Sequence, residues 1–176
     1  MQPDPKSCIT FAAPSPDATD RFAHALAPFL TAGDVLLLDG PVGAGKTHFA
    51  RAVIQELLRR CDRVEDVPSP TYTLVQDYQT DTLRIVHADL YRLGSVDELG
   101  ELGLDDGFGA ALSLIEWPDR LGGLYPKQAL LIRMFPVSDT PDARVIVACG
   151  PVDHWGARLA QLCHVTGAAC GTLAAQ

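Results

Sequence analysis

The sequence predicts an α/β domain: one sheet of mixed parallel and antiparallel strands with helices on both faces. Three observations predict it. Val35 to Leu38 is an unbroken apolar run, the pattern of a strand buried on both faces of a parallel sheet. A glycine-rich turn beginning at Gly40 follows directly and opens into a segment with Phe49, Ala52, Val53 and Leu57 on one side. Arg51, Gln55, Glu56 and Arg59 occupy its other side, so it reads as an amphipathic helix. Further short apolar runs recur downstream between turn-forming residues. With 176 residues, 47% hydrophobic and 20% charged, the chain has material for one domain with a substantial core.

Before the central strand, Ile9 to Ala13 reads as an edge strand, stopped by Pro14-Ser15-Pro16-Asp17. Phe22, Ala25, Leu26, Phe29 and Leu30 then recur at helical spacing. Pro28 lacks an amide hydrogen and clashes with the preceding turn, so this helix is expected to kink or end near Ala27. After the glycine-rich turn and its helix, Asp62 to Pro68 is polar and unpatterned. Thr71 to Tyr78 and Leu83 to Ala88 form two β-rich runs with a short link, an antiparallel hairpin. Gly94 to Gly109 reads as short helical turns broken by Gly100, Gly103, Gly107 and Gly109. Leu112 to Ile115 is a buried strand closed by Trp117-Pro118, and Ala129 to Phe135 and Ala143 to Cys149 are two more, joined by a turn over Ser138 to Asp142. Residues 1–150 are expected to form the domain. Residues 151–176 read as a C-terminal tail with a short helix bearing Trp155, Leu159 and Leu162, followed by Gly, Ala and Thr with little to bury.

Charge and cysteine usage exclude several classes. The 14 basic and 22 acidic residues give a net charge of −8, which argues against a basic clamp for nucleic acid or anionic membrane. Cys8, Cys61, Cys149, Cys163 and Cys170 form no C-x-x-C pair, no zinc spacing and no even disulfide set. They are expected as buried or free thiols in a reducing compartment. No basic, apolar leader and no run of about 20 apolar residues is present, so a cytoplasmic location is expected, with no membrane partner.

Gly40-Pro41-Val42-Gly43-Ala44-Gly45-Lys46-Thr47 fits the phosphate-binding P-loop, and it sits between strand and helix as that motif requires. Its glycines let the backbone fold around a polyphosphate, Lys46 reaches the β- and γ-phosphates, Thr47 holds Mg²⁺ through its hydroxyl, and the helix N-terminus adds its positive end. Hydrolysis further asks for a carboxylate at the end of a neighbouring strand. Asp89 and Glu116 each close an apolar run, the place where α/β sheets hold ligands. Thr71, in Ser69-Pro70-Thr71, stands either as a switch threonine facing metal and γ-phosphate or as a strand cap. Trp117 is either a core aromatic or a nucleotide platform. His48 is given a backbone role only. His24, His87, His154 and His164 form no ligand spacing.

Four segments in order, Gly40 to Thr47, Ser69-Pro70-Thr71-Tyr72-Thr73-Leu74-Val75, His87-Ala88-Asp89-Leu90-Tyr91-Arg92-Leu93 and Ile115-Glu116-Trp117-Pro118, resemble the TsaE family, formerly YjeE. The resemblance spans about Ile9 to Cys149. It implies a single domain with a P-loop NTPase type sheet and an ATPase needed for threonylcarbamoyladenosine in tRNA. It further implies that Gly43, Ala44, Gly45, Lys46, Thr47 and His48 wrap the phosphates of ATP, that Thr47 and Glu116 bind Mg²⁺, and that Asp89 is essential for hydrolysis. Thr71 falls on a switch-like segment and Trp117 near the nucleotide. Arg144 aligns with an arginine at the start of the last strand and receives no role. Implied partners are TsaB and TsaD, with tRNA touched only through them. His48 departs from the threonine common there.

The reading is therefore an ATPase whose catalytic residues are Lys46, Asp89 and Glu116, slow alone for want of an arginine finger and completed by partners. A P-loop small-molecule kinase and a nucleotide-sensing adaptor without essential hydrolysis are the alternatives. A GTPase is disfavoured because no Asn-Lys-x-Asp stretch is present.

Overall fold

The computed structural model describes residues 5–100, 102–104 and 108–173. In chain order the elements are β1 (Lys6–Ala13), α1 (Pro16–Leu26), β2 (Val35–Asp39), α2 (Lys46–Arg59), β3 (Val75–Gln79), β4 (Arg84–Asp89) and β5 (Leu112–Glu116). They continue with β6 (Leu130–Val137), β7 (Thr140–Pro151), α3 (Val152–Thr166) and β8 (Ala169–Leu173). Short 3-10 turns occupy Ala27–Phe29, Val96–Leu99 and Pro118–Leu121. Gly107, counted among the breaks between Gly94 and Gly109, lies outside the described residues.

The strands make one eight-stranded sheet in the order β3-β4-β5-β2-β6-β7-β1-β8. Strands β4, β5, β2 and β6 run parallel, while the β3/β4, β6/β7, β7/β1 and β1/β8 pairs are antiparallel. The unbroken apolar run of β2 has its explanation here. Leu36 and Leu38 point into a core shared with Phe22 and Leu26 of α1, Phe49 and Val53 of α2, and Trp155 and Leu159 of α3. Val35 and Leu37 point the other way, into a second core with Val86, Ala88, Ile115, Leu99 and Leu121. The three α-helices thus cover one face and 3-10 turns cover part of the other.

Helix α1 is opened by Ser15, whose Oγ accepts from the Ala18 amide at 3.3 Å, with Pro16 in the first turn. It ends at Leu26 and tightens into the 3-10 turn over Pro28, as a proline there demands. Glu56, on the polar side of α2 by pattern, is buried beneath Arg59, which donates to it through Nε at 2.8 Å and Nη2 at 2.9 Å.

Five features differ from the sequence reading. Of the run Thr71 to Tyr78 only the part from Val75 is strand, because the Leu74 amide closes a turn on Pro70 O. Strand β1 is interior, because β8 pairs with it from Lys6 opposite Leu173 to Thr10 opposite Ala169. A strand contributing mainly backbone hydrogen bonds needs no apolar signal, and Gly171 and Thr172 gave none. The segment after Gly150 carries a 15-residue helix whose Trp155, Leu159 and Leu162 are fully buried. The turn between β6 and β7 is only Ser138–Asp139, with Asp139 left-handed at φ 65°, and Thr140 to Asp142 already lie on the strand. Four cysteines expected as thiols are paired: Cys8 with Cys149, facing residues of β1 and β7, and Cys163 with Cys170, tying α3 to β8. A separation of 141 residues hid the first, which strand register brings together, whereas the second spans only seven residues across the α3–β8 turn and was hidden by the odd count of five; Cys61 is free. No helix among the described residues is long and apolar enough to cross a membrane.

Candidate functional site

The site lies at the carboxyl ends of β2, β4 and β5, where their parallel run leaves the last residues of each strand side by side. The loop from Gly40 to Gly45 joins β2 to α2. Gly40 (φ 150°) has no room for a side chain, since a Cβ would sit 2.5 Å from the Met134 carbonyl oxygen. Gly45 (φ 101°) is the left-handed residue from which α2 starts. Ala44 turns its methyl into the core, and its amide donates back to Pro41 O at 3.1 Å. A cleft of about 420 Å³ opens in front of this loop.

Lys46 and Thr47 come from the first turn of α2. Lys46 is only 5% exposed; its Nζ donates to Gly40 O at 2.7 Å and Pro41 O at 2.9 Å and lies 3.8 Å from the centre of the Trp117 ring. Burial pushes its pKa below the ordinary lysine value, and the negative charges of Glu116, Asp89 and Asp39 pull it part of the way back. Thr47 Oγ1 donates to Glu116 Oε2 at 2.8 Å. The other oxygen of Glu116 is 2.9 Å from Nε2 of His87, which is fully buried.

Asp89, at the end of β4, stands in register beside Glu116 at the end of β5. Its Oδ2 accepts from Thr71 Oγ1 at 2.7 Å and its Oδ1 from the Tyr91 amide at 3.0 Å. Thr71 is held in a turn closed by the Leu74 amide on Pro70 O at 2.7 Å, with Leu74 left-handed at φ 65°. The Asp89 amide in turn donates to Leu74 O at 2.9 Å. The threonine segment and the strand-end carboxylate are therefore one hydrogen-bonded unit.

Trp117 is left-handed at φ 61°, a strained conformation for a bulky residue, and its amide meets Leu38 O at 3.3 Å. That bend swings the indole across the mouth of the cleft, where it packs against Tyr91 with ring centres 4.9 Å apart. His48 lines the cleft edge, but its Nε2 lies 2.7 Å from Asp20 Oδ1 of α1. Its imidazole is directed toward α1, which leaves the backbone as its contribution to the loop.

Gly43, Gly45, Lys46, Thr47, His48, Thr71, Asp89, Glu116 and Trp117 all line the one cleft, whereas Ala44 does not: its methyl is buried in the core, its amide closes on Pro41 O and its carbonyl faces Arg144. Two residues named in the sequence reading received no role there: Tyr91, which also lines the cleft, and His87 beneath Glu116. Strand alternation held a signal for His87, since it is two residues before Asp89 and shares its face. Arg144, without a role from sequence, donates to Ala44 O and Gly43 O at 2.8 and 3.1 Å.

The arrangement sets a loop of positive-φ glycines, one buried lysine and the start of α2 around the cleft. Thr47, Glu116 and Asp89 offer a hydroxyl and two carboxylates, a hard donor set of the kind that could hold Mg²⁺.

A sequence profile of the family described as Threonylcarbamoyl adenosine biosynthesis protein TsaE matches residues 13–145. The chain is 37% identical over 125 residues to the tRNA threonylcarbamoyladenosine biosynthesis protein TsaE of Rickettsia bellii, covering 71% of this chain and 85% of that one. It is 37% identical over 119 residues to the Bacillus subtilis protein of the same name, covering 67% of this chain and 72% of that one. For the Haemophilus influenzae protein of that name the identity is 34% over 128 residues, covering 72% and 78%. The crystal structure of Bacillus subtilis YdiB matches with a TM-score of 0.65 at 26% identity, covering 91% of this chain and 94% of that one.

Proposed function

The chain belongs to the TsaE family, and on that premise we propose that it is a Mg²⁺-dependent ATPase serving threonylcarbamoyladenosine modification of tRNA, together with TsaB and TsaD. One observation carries the ATPase reading: Lys46, Thr47, Glu116 and Asp89 converge on one cleft at the start of α2, with Thr47 hydrogen-bonded to Glu116.

Each residue has a definable task. The loop amides and the N-terminus of α2 receive the phosphates. Lys46, now spending its protons on Gly40 O and Pro41 O, exchanges them for phosphate oxygens of greater charge. Thr47 and Glu116 would hold Mg²⁺, which supplies charge neutralisation on the phosphates when bound. Asp89, bonded to Thr71, orients water at the γ-phosphate end, so that movement of the 70–74 turn reports on the nucleotide state. Trp117 and Tyr91 form an aromatic wall for the cleft. Lys46 is the one Lys or Arg among the described residues lining the cleft, which supports slow hydrolysis by the isolated chain. The net charge of −8 supports contact with the tRNA pathway through proteins. Tyr72, 86% exposed beside the site, offers such a protein an aromatic contact.

The test is ATP turnover by the purified chain, with and without TsaB and TsaD, in Mg²⁺ and in EDTA. Slow Mg²⁺-dependent release of ADP and phosphate, accelerated by the partners, is expected. Failure to bind ATP, or a phosphorylated small molecule as product, defeats the reading.

A further inference from the structure

We propose that Arg144 is a positioning residue that holds the phosphate-binding loop in its receptive shape before nucleotide arrives; the proposal rests on the ATPase reading above. Arg144 lies near the start of β7, a hundred residues after the loop. Its Nε donates to Ala44 O at 2.8 Å and its Nη2 to Gly43 O at 3.1 Å. Its Nη1 donates to Pro141 O at 2.6 Å and Ala143 O at 2.7 Å, which anchors the guanidinium to its own strand. One planar cation therefore joins two consecutive loop carbonyls to a fixed strand.

The consequence follows from peptide geometry. In a planar trans peptide the carbonyl and the next amide N–H point in opposite directions. Drawing the Gly43 and Ala44 carbonyls toward Arg144 turns the Ala44 and Gly45 amides away from it. Ala44 N–H closes the loop on Pro41 O, and Gly45 borders the cleft. Arg144 itself borders a separate small cavity of about 120 Å³ with Ala44, Gly45 and His48, behind the loop. It acts on the phosphate through the loop, by keeping repulsive carbonyl oxygens on the far side.

The loop needs such a restraint because Gly43 (φ 76°) and Gly45 (φ 101°) are conformationally free when untethered. Ordering it at the moment of binding would cost affinity, and a loop ordered beforehand avoids that cost. Lysine cannot substitute, since a single ammonium offers three donors from one point, whereas the guanidinium here serves four carbonyls from three nitrogens.

The experiment compares wild type with Arg144→Lys and Arg144→Ala. In the nucleotide-free protein, amide hydrogen exchange of the 43–46 segment should be about tenfold faster in both variants, the scale of losing one charge-assisted hydrogen bond. KM for ATP should rise by about the same factor while kcat stays within about twofold, and millimolar guanidinium should restore part of the affinity of Arg144→Ala. Exchange and KM equal to wild type in Arg144→Lys overturn the proposal, as does a fall in kcat at unchanged KM. Should Arg144→Ala fail to fold, Arg144→Lys keeps the charge and decides by itself. Wild type that binds no ATP sinks the ATPase reading, whereas wild type that binds it normally alongside an indifferent Arg144→Lys sinks only the clamp.

Discussion

Thr47 Oγ1 and Glu116 Oε2 are 2.8 Å apart, joined by a hydrogen bond between residues 69 positions apart in sequence. The bond couples the first turn of α2 to the end of β5, and His87 fixes the second oxygen of Glu116 from below. The carboxylate is thus oriented before any cation arrives. Glu116→Gln keeps an acceptor for Thr47 but removes the charge. It should leave Mg²⁺-free ATP binding within about threefold and lower Mg²⁺-dependent hydrolysis by about a hundredfold, the order seen when an electrostatic catalytic group is lost. Titrating Mg²⁺ against both rate and Trp fluorescence checks this, and an unshifted Mg²⁺ dependence would count against the metal role of Glu116.

Asp89 makes the contrasting case. Its carboxylate binds Thr71 and the Tyr91 amide and is nearly buried. Asp89→Asn retains the shape and should bind ATP within a few fold of wild type while losing about two orders of magnitude in kcat. Thr71→Val should show a smaller loss in the same direction, because it removes the donor and leaves the carboxylate. Equal turnover in Asp89→Asn and wild type would disprove the hydrolytic role.

How much of this was readable beforehand depended on range. The loop, Lys46, Thr47 and the strand-end carboxylates are local patterns, and each lies where its pattern puts it. His87 needed the parallel register of β4 against β5, which sets Asp89 beside Glu116 and brings His87 below it. Arg144 needed β7 to pass behind the loop. Strand β8 and the Cys8–Cys149 pair depend on β1 lying between two strands from the far end of the chain. Periodicity carries no information on which strands become neighbours.

His87 yields a prediction of its own. Its Nε2 partners Glu116, while Nδ1 is buried with no hydrogen-bond partner among the described residues. His87→Gln carries an amide nitrogen at comparable reach and should hold Glu116 in place, whereas His87→Leu leaves that oxygen without its donor. Unfolding free energy should drop by about 1–3 kcal/mol in the leucine variant, the cost of an unpaired buried polar group, and Mg²⁺ affinity should fall with it. A leucine variant with wild-type Mg²⁺ affinity would show that Thr47 alone orients the carboxylate.

Lys46 gives the site a pH dependence. Its pKa in the folded chain is below 10.5, burial outweighing the attraction of Glu116, Asp89 and Asp39. Between that lowered value and 10.5 the unfolded chain carries more protons, so this group's contribution to stability rises with pH through the window. Below the window the cost of burying the ammonium is present in full. Phosphate oxygens restore the charge, so ATP binding should take up protons there and weaken as pH climbs. Calorimetry in two buffers of different ionisation enthalpy measures the uptake; ATP affinity independent of alkaline pH would contradict it.

The segment after Gly150 is predicted to be required for folding. Trp155 is fully buried against the α1 and α2 core and donates from its indole to Gln128 O at 2.6 Å. Gly150 lies so close beneath the indole that a Cβ there would overlap it. Helix α3 also supplies Arg158 and His154 to Asp34, which is 1% exposed, at 2.7 and 2.8 Å. Ending the chain at Gly150 would remove the indole and leave the Asp34 carboxylate beside β2 with Thr31 alone as a partner. Trp155→Ala should cost about 3–5 kcal/mol by cavity formation. Gly150→Ala should cost about 1–3 kcal/mol by overpacking, and Arg158→Ala about 1–3 kcal/mol by removing the guanidinium from buried Asp34, which keeps His154 and Thr31 as partners. The losses of Trp155 and of the partners of Asp34, about 4–8 kcal/mol together, approach the whole stability of an ordinary domain, roughly 5–15 kcal/mol, so a chain cut at 150 should show no cooperative urea transition. Val165→Ala on the exposed side of α3 should change stability by less than about 0.5 kcal/mol and serves as the control. A cut chain that unfolds cooperatively near the wild-type midpoint would show that residues 1–150 suffice, and that α3 merely covers a finished core.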